Sequence, residues 1–145
     1  MKRGIFFLCV SLLFVFSSCE LETSSHGDLY GMWHLERIDS LSSGAQLSMR
    51  DALLFWSFQG KLLELDDKSG EHHSVLLRFE ERSDALRVYE PYLYNREEGD
   101  EPLSDAGYLR VFGIQDLEET FSIEELGGSR LVLRSNLLRL HLRRF

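Results

Sequence analysis

From Asp28 onward, apolar residues recur at every second position in short runs, and turn-forming residues separate the runs. No window of eleven or more residues carries the spacing of an amphipathic helix, whereas strict alternation predicts half-buried β-strands. The runs follow one another through local turns, which leaves no place for the helical crossovers that parallel strands require. The pattern therefore predicts an all-β, antiparallel domain over residues 28–145.

The predicted strands cover residues 30–39, 53–58, 61–66, 73–81, 86–89, 119–126, 130–135 and 137–145. Pro91 is expected to interrupt the fifth strand, and residues 95–102 form an acidic loop. Residues 108–114 are a further apolar segment, and residues 115–118 are expected to form a single helical turn. About eight hairpin-connected strands suit an up-and-down β-barrel, in which closure removes exposed strand edges. A two-sheet sandwich is the alternative.

The residues predicted to face inward include several large aromatic side chains. An eight-stranded barrel has room either for packed side chains or for one small apolar ligand. The packed interior is the simpler expectation, and an open barrel would make the same aromatic residues ligand contacts: Trp33, Trp56, Phe58 and Phe79. Tyr92 and Tyr94 lie beside the acidic loop, and their spacing places them on one side of a strand. They are candidate contacts for a sugar or a protein, or ordinary edge-strand tyrosines.

The first 27 residues have the composition of an export and anchoring segment. Lys2 and Arg3 precede the uncharged residues 4–17, which as a helix would span only about 21 Å of a ~30 Å hydrocarbon layer. Such a run is typical of a secretory signal helix. The sequence Phe16-Ser17-Ser18-Cys19 resembles a bacterial lipobox, in which the cysteine thiol receives diacylglycerol. We therefore predict a lipoprotein signal peptide over residues 1–18, then lipidated Cys19 with a polar tether over 19–27. A plain signal peptide with an incidental cysteine is the alternative.

Composition and motifs exclude several functional classes. The formal net charge of −8 has the wrong sign for a general nucleic-acid binder, and two cysteines cannot form a disulfide scaffold or a four-thiolate zinc site. No phosphate loop, dinucleotide fingerprint or hydrolase motif occurs. Glu71-His72-His73 could suggest a metal site, but neighbouring strand residues point to opposite faces, so a solvated hairpin shoulder is expected. We predict no enzyme activity, no cofactor, no metal and no nucleic-acid partner.

Charge is unevenly distributed along the chain. Five arginines and no acidic residue follow Glu125, whereas residues 19–125 carry 9 basic and 24 acidic residues. The basic strand pair could bind an anionic lipid or partner. Pairing of these arginines across strands with the abundant acidic side chains is the simpler expectation.

Gly31-Met32-Trp33 resembles the Gly-x-Trp signature of lipocalins and related barrels. In those folds the tryptophan plugs the closed end, and an arginine from the last strand covers its ring by a cation–π contact. Parity with Leu138, Leu140 and Leu142 makes Arg144 the first choice for that arginine, with Arg143 second.

The resemblance extends over the remainder of the chain. Residues 55–63, 117–121 and 131–135, with the final Leu142-Arg143-Arg144-Phe145, are similar to lipocalin-like lipoproteins of unknown function from Gram-negative bacteria. This resemblance implies a barrel in the bacterial cell envelope that is anchored to a membrane, which we expect to be the outer membrane. The barrel would lie on either the periplasmic or the cell-surface side. It implies no particular ligand or activity.

Two non-catalytic functions follow from these observations. The first is a lipid-anchored carrier whose barrel mouth holds a small apolar ligand. The second is an accessory or adaptor module, a packed barrel that presents its loop over residues 91–107 to another envelope protein. The presence or absence of an internal cavity should separate the two.

Overall fold

The computed structural model describes residues 28–145. Ten strands and one helical turn, α1, cover most of this range: β1 Gly31–Ser40, β2 Gln46–Ser48, β3 Leu54–Gln59, β4 Leu62–Asp67, β5 Val75–Arg82, β6 Ala85–Leu93, β7 Glu101–Pro102, α1 Gly107–Arg110, β8 Glu119–Leu126, β9 Arg130–Arg134 and β10 Leu138–Arg144. Seven of the eight predicted strands have bounds within two residues of these. Among the described residues, no helix has the length and apolar content needed to cross a bilayer.

Eight of the strands form a closed antiparallel barrel. They follow the order β1-β3-β4-β5-β6-β8-β9-β10, and β10 pairs back onto β1 from Trp33↔Arg144 to Ser40↔Leu138. The short strands β2 and β7 pair with β1 and β6 as additions to this ring. The predicted up-and-down barrel is confirmed, and the sandwich alternative is wrong because pairing of the first and last strands leaves a single continuous sheet.

The two ends of the barrel are built differently. We call one the hairpin end, because tight turns and the outer ends of β1 and β10 form it: residues 28–31, 59–62, 82–85, 126–130 and 143–145. We call the other the loop end, because longer connections form it: residues 41–53, 68–74, 94–118 and 135–137. The described chain begins at Asp28, on the hairpin end.

Pro91 does not interrupt its strand, contrary to the prediction. β6 continues to Leu93, and its pairing with β5 skips from Arg78↔Tyr89 to Leu76↔Tyr92. Two residues of β6 thus lie opposite Leu77, with Glu90 at a positive φ of 51°. A β-bulge of this kind accommodates a proline because the bulged residue makes no ladder hydrogen bond.

The segment before β8 also differs from the prediction. The predicted helical turn lies before residues 115–118 rather than within them, because α1 and a following turn occupy the apolar residues 108–114. Leu109, Phe112 and Ile114 are fully buried. The segment belongs to the core as a folded-in connection, and hereafter we call residues 107–114 the plug segment.

Candidate functional site

Trp33 closes the hairpin end from the inside. Its side chain is fully buried, and its indole Nε1 donates a hydrogen bond of 2.9 Å to the carbonyl of Leu29, which is itself fully buried. The guanidinium carbon of Arg144 lies 4.3 Å from the centroid of the Trp33 ring. Arg144, rather than Arg143, therefore makes the cation–π contact.

Arg144 also ties three segments of the hairpin end together. Its Nε donates to the carbonyl of Gly128 at 2.7 Å, and its Nη1 and Nη2 donate to the carbonyls of Tyr30 and Asp28 at 2.7 and 2.5 Å. A Cβ at Gly31 would lie 2.9 Å from Nη1. A glycine before Met32-Trp33 thus lets the guanidinium approach the backbone, which gives the Gly-x-Trp pattern a physical reason here.

Aromatic rings fill the middle of the barrel from wall to wall. Trp56 on β3 contacts Phe121 on β8 edge to face, with the ring centroids 5.9 Å apart. These two strands are four places apart in a ring of eight, so they lie on opposite walls. The ring centroid of Phe58 lies 6.3 Å from that of Trp56 and 5.0 Å from that of Phe79. Trp56, Phe58 and Phe79 therefore pack against other side chains, as aromatic rings do in a closed core.

The plug segment fills the barrel at the loop end. The indole Nε1 of Trp56 donates a hydrogen bond of 3.1 Å to the carbonyl of Phe112. Gly113 has a φ of +89°, and a Cβ there would lie 2.6 Å from a methyl carbon of Leu140 on β10. The sequence interpretation missed this segment as a core element. Gly113 within the apolar run was the available signal, because an isolated glycine marks a turn or a close backbone approach.

Glu119, at the start of β8, fixes the connection that leaves the plug segment. Its carboxylate accepts a hydrogen bond of 2.8 Å from the backbone N–H of Gln115. Burial raises the pKa of the Glu119 carboxyl, with Asp116 nearby adding to the effect, while the backbone hydrogen bonds lower it in part. The carboxylate thereby secures this loop against the start of β8.

Tyr92 and Tyr94 lie apart from the interior aromatic residues. Tyr92 is half-buried on the outer wall, where it lines a depression of about 260 Å³ together with Leu62, Leu76 and Arg78. The Tyr94 ring lies under the guanidinium of Arg96, which also donates to its hydroxyl. The six predicted contact residues therefore do not form one site, since four are interior and two are exterior.

Three potential metal ligands meet where β4 ends and the following loop begins. Atoms of Asp67, Glu71 and His72 lie within 4.8 Å of one another, but the Asp67 carboxylate already accepts hydrogen bonds from the N–H and hydroxyl of Ser69 at 2.8 and 2.6 Å. Its other oxygen lies 2.7 Å from the His72 ring Nδ1. Burial raises the pKa of the Asp67 carboxyl, yet the bonds from Ser69 and His72 outweigh burial and lower it overall. Asp67 thus acts as a loop-stabilising carboxylate. His73 contacts Tyr108 instead, with ring centroids 5.9 Å apart.

Charged side chains cross the seam that closes the barrel. Asp39 on β1 lies 2.8 Å from the His141 ring Nε2 on β10 and 2.9 Å from the Arg37 Nε. Burial raises the pKa of the Asp39 carboxyl, but hydrogen bonds from His141 and Arg37 lower it by more. Elsewhere on the wall, Arg139 pairs with Glu124 at 2.5 Å. Arg143 pairs with Glu36 at 3.1 Å. The predicted cross-strand pairing is thus present for these two of the five C-terminal arginines, whereas Arg144 binds backbone carbonyls.

Comparison with known proteins agrees with this architecture. The profile of a family described as a lipocalin-like domain matches residues 13–145. A lipocalin-like protein from Bacteroides uniformis has a similar structure, with a TM-score of 0.63 and 21% identity over 82% of this chain and 100% of its own. An uncharacterized protein from Bacteroides eggerthii gives a TM-score of 0.57 with 20% identity over 80% of this chain and 98% of its own. No curated protein sequence matches. With the closed barrel and the Trp33–Arg144 contact, these matches establish that the chain belongs to the lipocalin-like domain family.

Proposed function

We propose that the protein is a lipid-anchored, non-catalytic module of the bacterial envelope that acts through its outer surface by contacting another envelope protein. The observation that carries this proposal is the edge-to-face contact of Trp56 with Phe121 across the barrel. A lumen that is bridged by side chains leaves no space there for a cargo molecule. Recognition is therefore assigned to the exterior.

The hydrogen bond from Trp56 to the plug segment supports the same conclusion. An open carrier would need a passage at the loop end, but Leu109, Phe112 and Ile114 are fully buried there. Removing them from the core would expose three large apolar side chains, each of which stabilises the fold by about 1.5 to 3 kcal/mol through burial. In the carrier function that the sequence also suggested, binding of the ligand would have to offset the free energy lost when these three side chains leave the core.

Native mass spectrometry of the detergent-extracted, full-length protein tests the packed interior. We expect the mass of the acylated polypeptide alone. A stoichiometric small apolar molecule that is released on denaturation would support the carrier instead. The Phe121→Ala variant is the positive control, because truncation opens a cavity beside Trp56 that can admit a small apolar probe such as benzene.

The proposed anchor rests on the sequence around Cys19. Residues 1–27 lie outside the described part of the structure, so the signal peptide and the lipidated cysteine remain predictions from sequence. Membrane fractionation of the Cys19→Ser variant tests them. We expect the variant to lose its membrane attachment, while the matched Cys9→Ser variant stays attached because Cys9 lies within the predicted signal peptide. Equal attachment of the Cys19→Ser variant and the wild type would refute the anchor.

A further inference from the structure

We propose that the loop end is the docking face, and that its partner is a protein with an apolar patch beside basic residues. This inference rests on the proposed function and specifies which surface performs it. The evidence is the joint location of exposed apolar side chains and acidic residues on this one end of the barrel.

Most of the large apolar side chains that remain exposed lie on the loop end. Within residues 28–145, six large hydrophobic residues are exposed, and four of them lie there: Leu47 at 59%, Leu53 at 45%, Tyr108 at 42% and Leu137 at 58%. Single exposed apolar residues are normal on protein surfaces, but their accumulation on one face is typical of an interaction site.

Hydrogen bonds and ring contacts join the four loops into one continuous rim. The backbone N–H of Leu41 donates to the carbonyl of Leu137 at 3.0 Å, which connects residues 135–137 to residues 41–53. The N–H of Lys68 donates to the carbonyl of Leu53 at 2.8 Å, which connects the next loop. His73 then contacts Tyr108 in the longest loop. The exposed apolar residues thus lie on loops that contact one another rather than on independent loops.

Charge identifies the chemistry of the partner. Residues 94–118 contain seven acidic and two basic residues. One of the two basic residues, Arg96, is engaged by Tyr94 rather than by a carboxylate. Exposed apolar side chains beside an acidic loop are complementary to an apolar patch beside basic residues, and such complementarity accelerates association and suppresses incorrect partners. The same charge disfavours docking onto an anionic lipid surface.

A second copy of this chain is the other occupant to consider. The hairpin end carries five basic residues, Lys61, Arg82, Arg130, Arg143 and Arg144, and two acidic ones, Asp28 and Asp84. Head-to-tail contact between copies would therefore satisfy the charges. The predicted tether joins the barrel at this end, and the basic hairpin end is attracted to anionic lipid, so in an anchored protein the membrane competes with a neighbour's loop end for this surface. A separate protein is therefore the favoured partner.

Site-specific photocrosslinking in the native envelope tests the docking face. In the full-length protein, p-benzoylphenylalanine replaces Leu137 or Tyr108 at the loop end. The matched controls carry the same crosslinker at Leu62 or Phe145, which lie outside the loop end and are 49% and 80% exposed. We expect a discrete protein adduct at the loop-end positions with at least five-fold lower yield at the controls. With the crosslinker at position 137, we expect the Glu97→Gln/Glu98→Gln substitutions to lower the adduct yield several-fold at low salt. At high salt, the yields with and without these substitutions should become more similar, because salt screens the charges. Asp84→Asn is the charge control and should leave the yield unchanged.

The possible outcomes separate the docking face from the proposed function. Adducts only at the control positions would overturn the docking face and leave an adaptor function intact. Adducts with lipid, or with a second copy of this chain, would overturn the proposed partner. An adduct yield that is unchanged by the Glu97→Gln and Glu98→Gln substitutions would overturn the inference that the partner carries basic residues. Adducts at no position would overturn both the docking face and the adaptor function.

Discussion

Truncation of Arg144 is the perturbation that tests the closed end most directly. The side chain makes one cation–π contact with Trp33 and three hydrogen bonds to backbone carbonyls. A hydrogen bond to a charged group contributes about 1.5 to 3 kcal/mol when it is buried, and a cation–π contact contributes about 0.5 to 2 kcal/mol. Two of the three hydrogen bonds are solvent-exposed, so we discount them strongly. Arg144→Ala should therefore destabilise the fold by about 3 kcal/mol.

Urea unfolding of residues 20–145, followed by tryptophan fluorescence, measures this loss. With a denaturant slope of about 2 kcal/mol/M, the midpoint should fall by about 1.5 M. Arg143→Ala is the matched control, because Arg143 is 65% exposed and makes one ion pair, with Glu36 at 3.1 Å; its loss should stay below about 1 kcal/mol. Arg144→Lys should recover roughly half of the stability, since one ammonium can cover the ring but cannot span three carbonyls. If Arg144→Ala costs no more than Arg143→Ala, the assigned role of Arg144 is wrong.

Three further predictions concern the interior, the plug segment and the seam. Phe121→Ala should lower the free energy of unfolding by about 3 to 5 kcal/mol in urea titrations, and a loss below about 1 kcal/mol would contradict the packed lumen. Gly113→Ala should cost about 3 kcal/mol through positive φ and a steric clash, whereas Gly44→Ala, with a φ of +72° and no atom near its Cβ, should cost only about 1 kcal/mol in the same assay. Because the folded pKa of Asp39 is lowered, its stabilisation is present above its ordinary pKa of 3.8 and is lost as the pH falls through the folded value. Asp39→Asn should thus be about 2 kcal/mol less stable at pH 7 and approach the wild type below about pH 4 in pH-dependent thermal unfolding.

Alternation along the sequence was sufficient to predict the strands and most of the core. Trp33, Trp56, Phe58 and Phe79 were predicted to face inward, and each is at most 5% exposed. This succeeds because one face of a barrel strand is always buried, so a shift of one residue would expose the whole apolar set. Closure was predictable for the related reason that consecutive hairpins leave two edges, which the first and last strands can pair.

Sequence could not show how the barrel interior is occupied. Trp56 and Phe121 are 65 residues apart in the sequence, and their contact depends on the stagger between their two strands. No local sequence pattern encodes the level at which each side chain enters the barrel. The plug segment was missed because a short apolar run reads equally well as a strand or as a buried turn. The bulge at Glu90 was missed because Pro91 normally indicates the end of a ladder. Each error concerns an element whose conformation is set by distant packing.

The distribution of charge bears on how an anchored barrel would be oriented. A tether of eight residues, 20–27, has an r.m.s. span of about 16 Å, which by itself would let the barrel lie on its side at the membrane. Its hairpin end carries a net positive charge, and residues 94–118 at the loop end carry a net negative charge. Anionic lipid acts on charges within about 8 Å at physiological salt, so it attracts the hairpin end and repels the loop end. On the proposed anchoring at Cys19, the docking face is therefore directed away from the membrane without any need for a rigid linker.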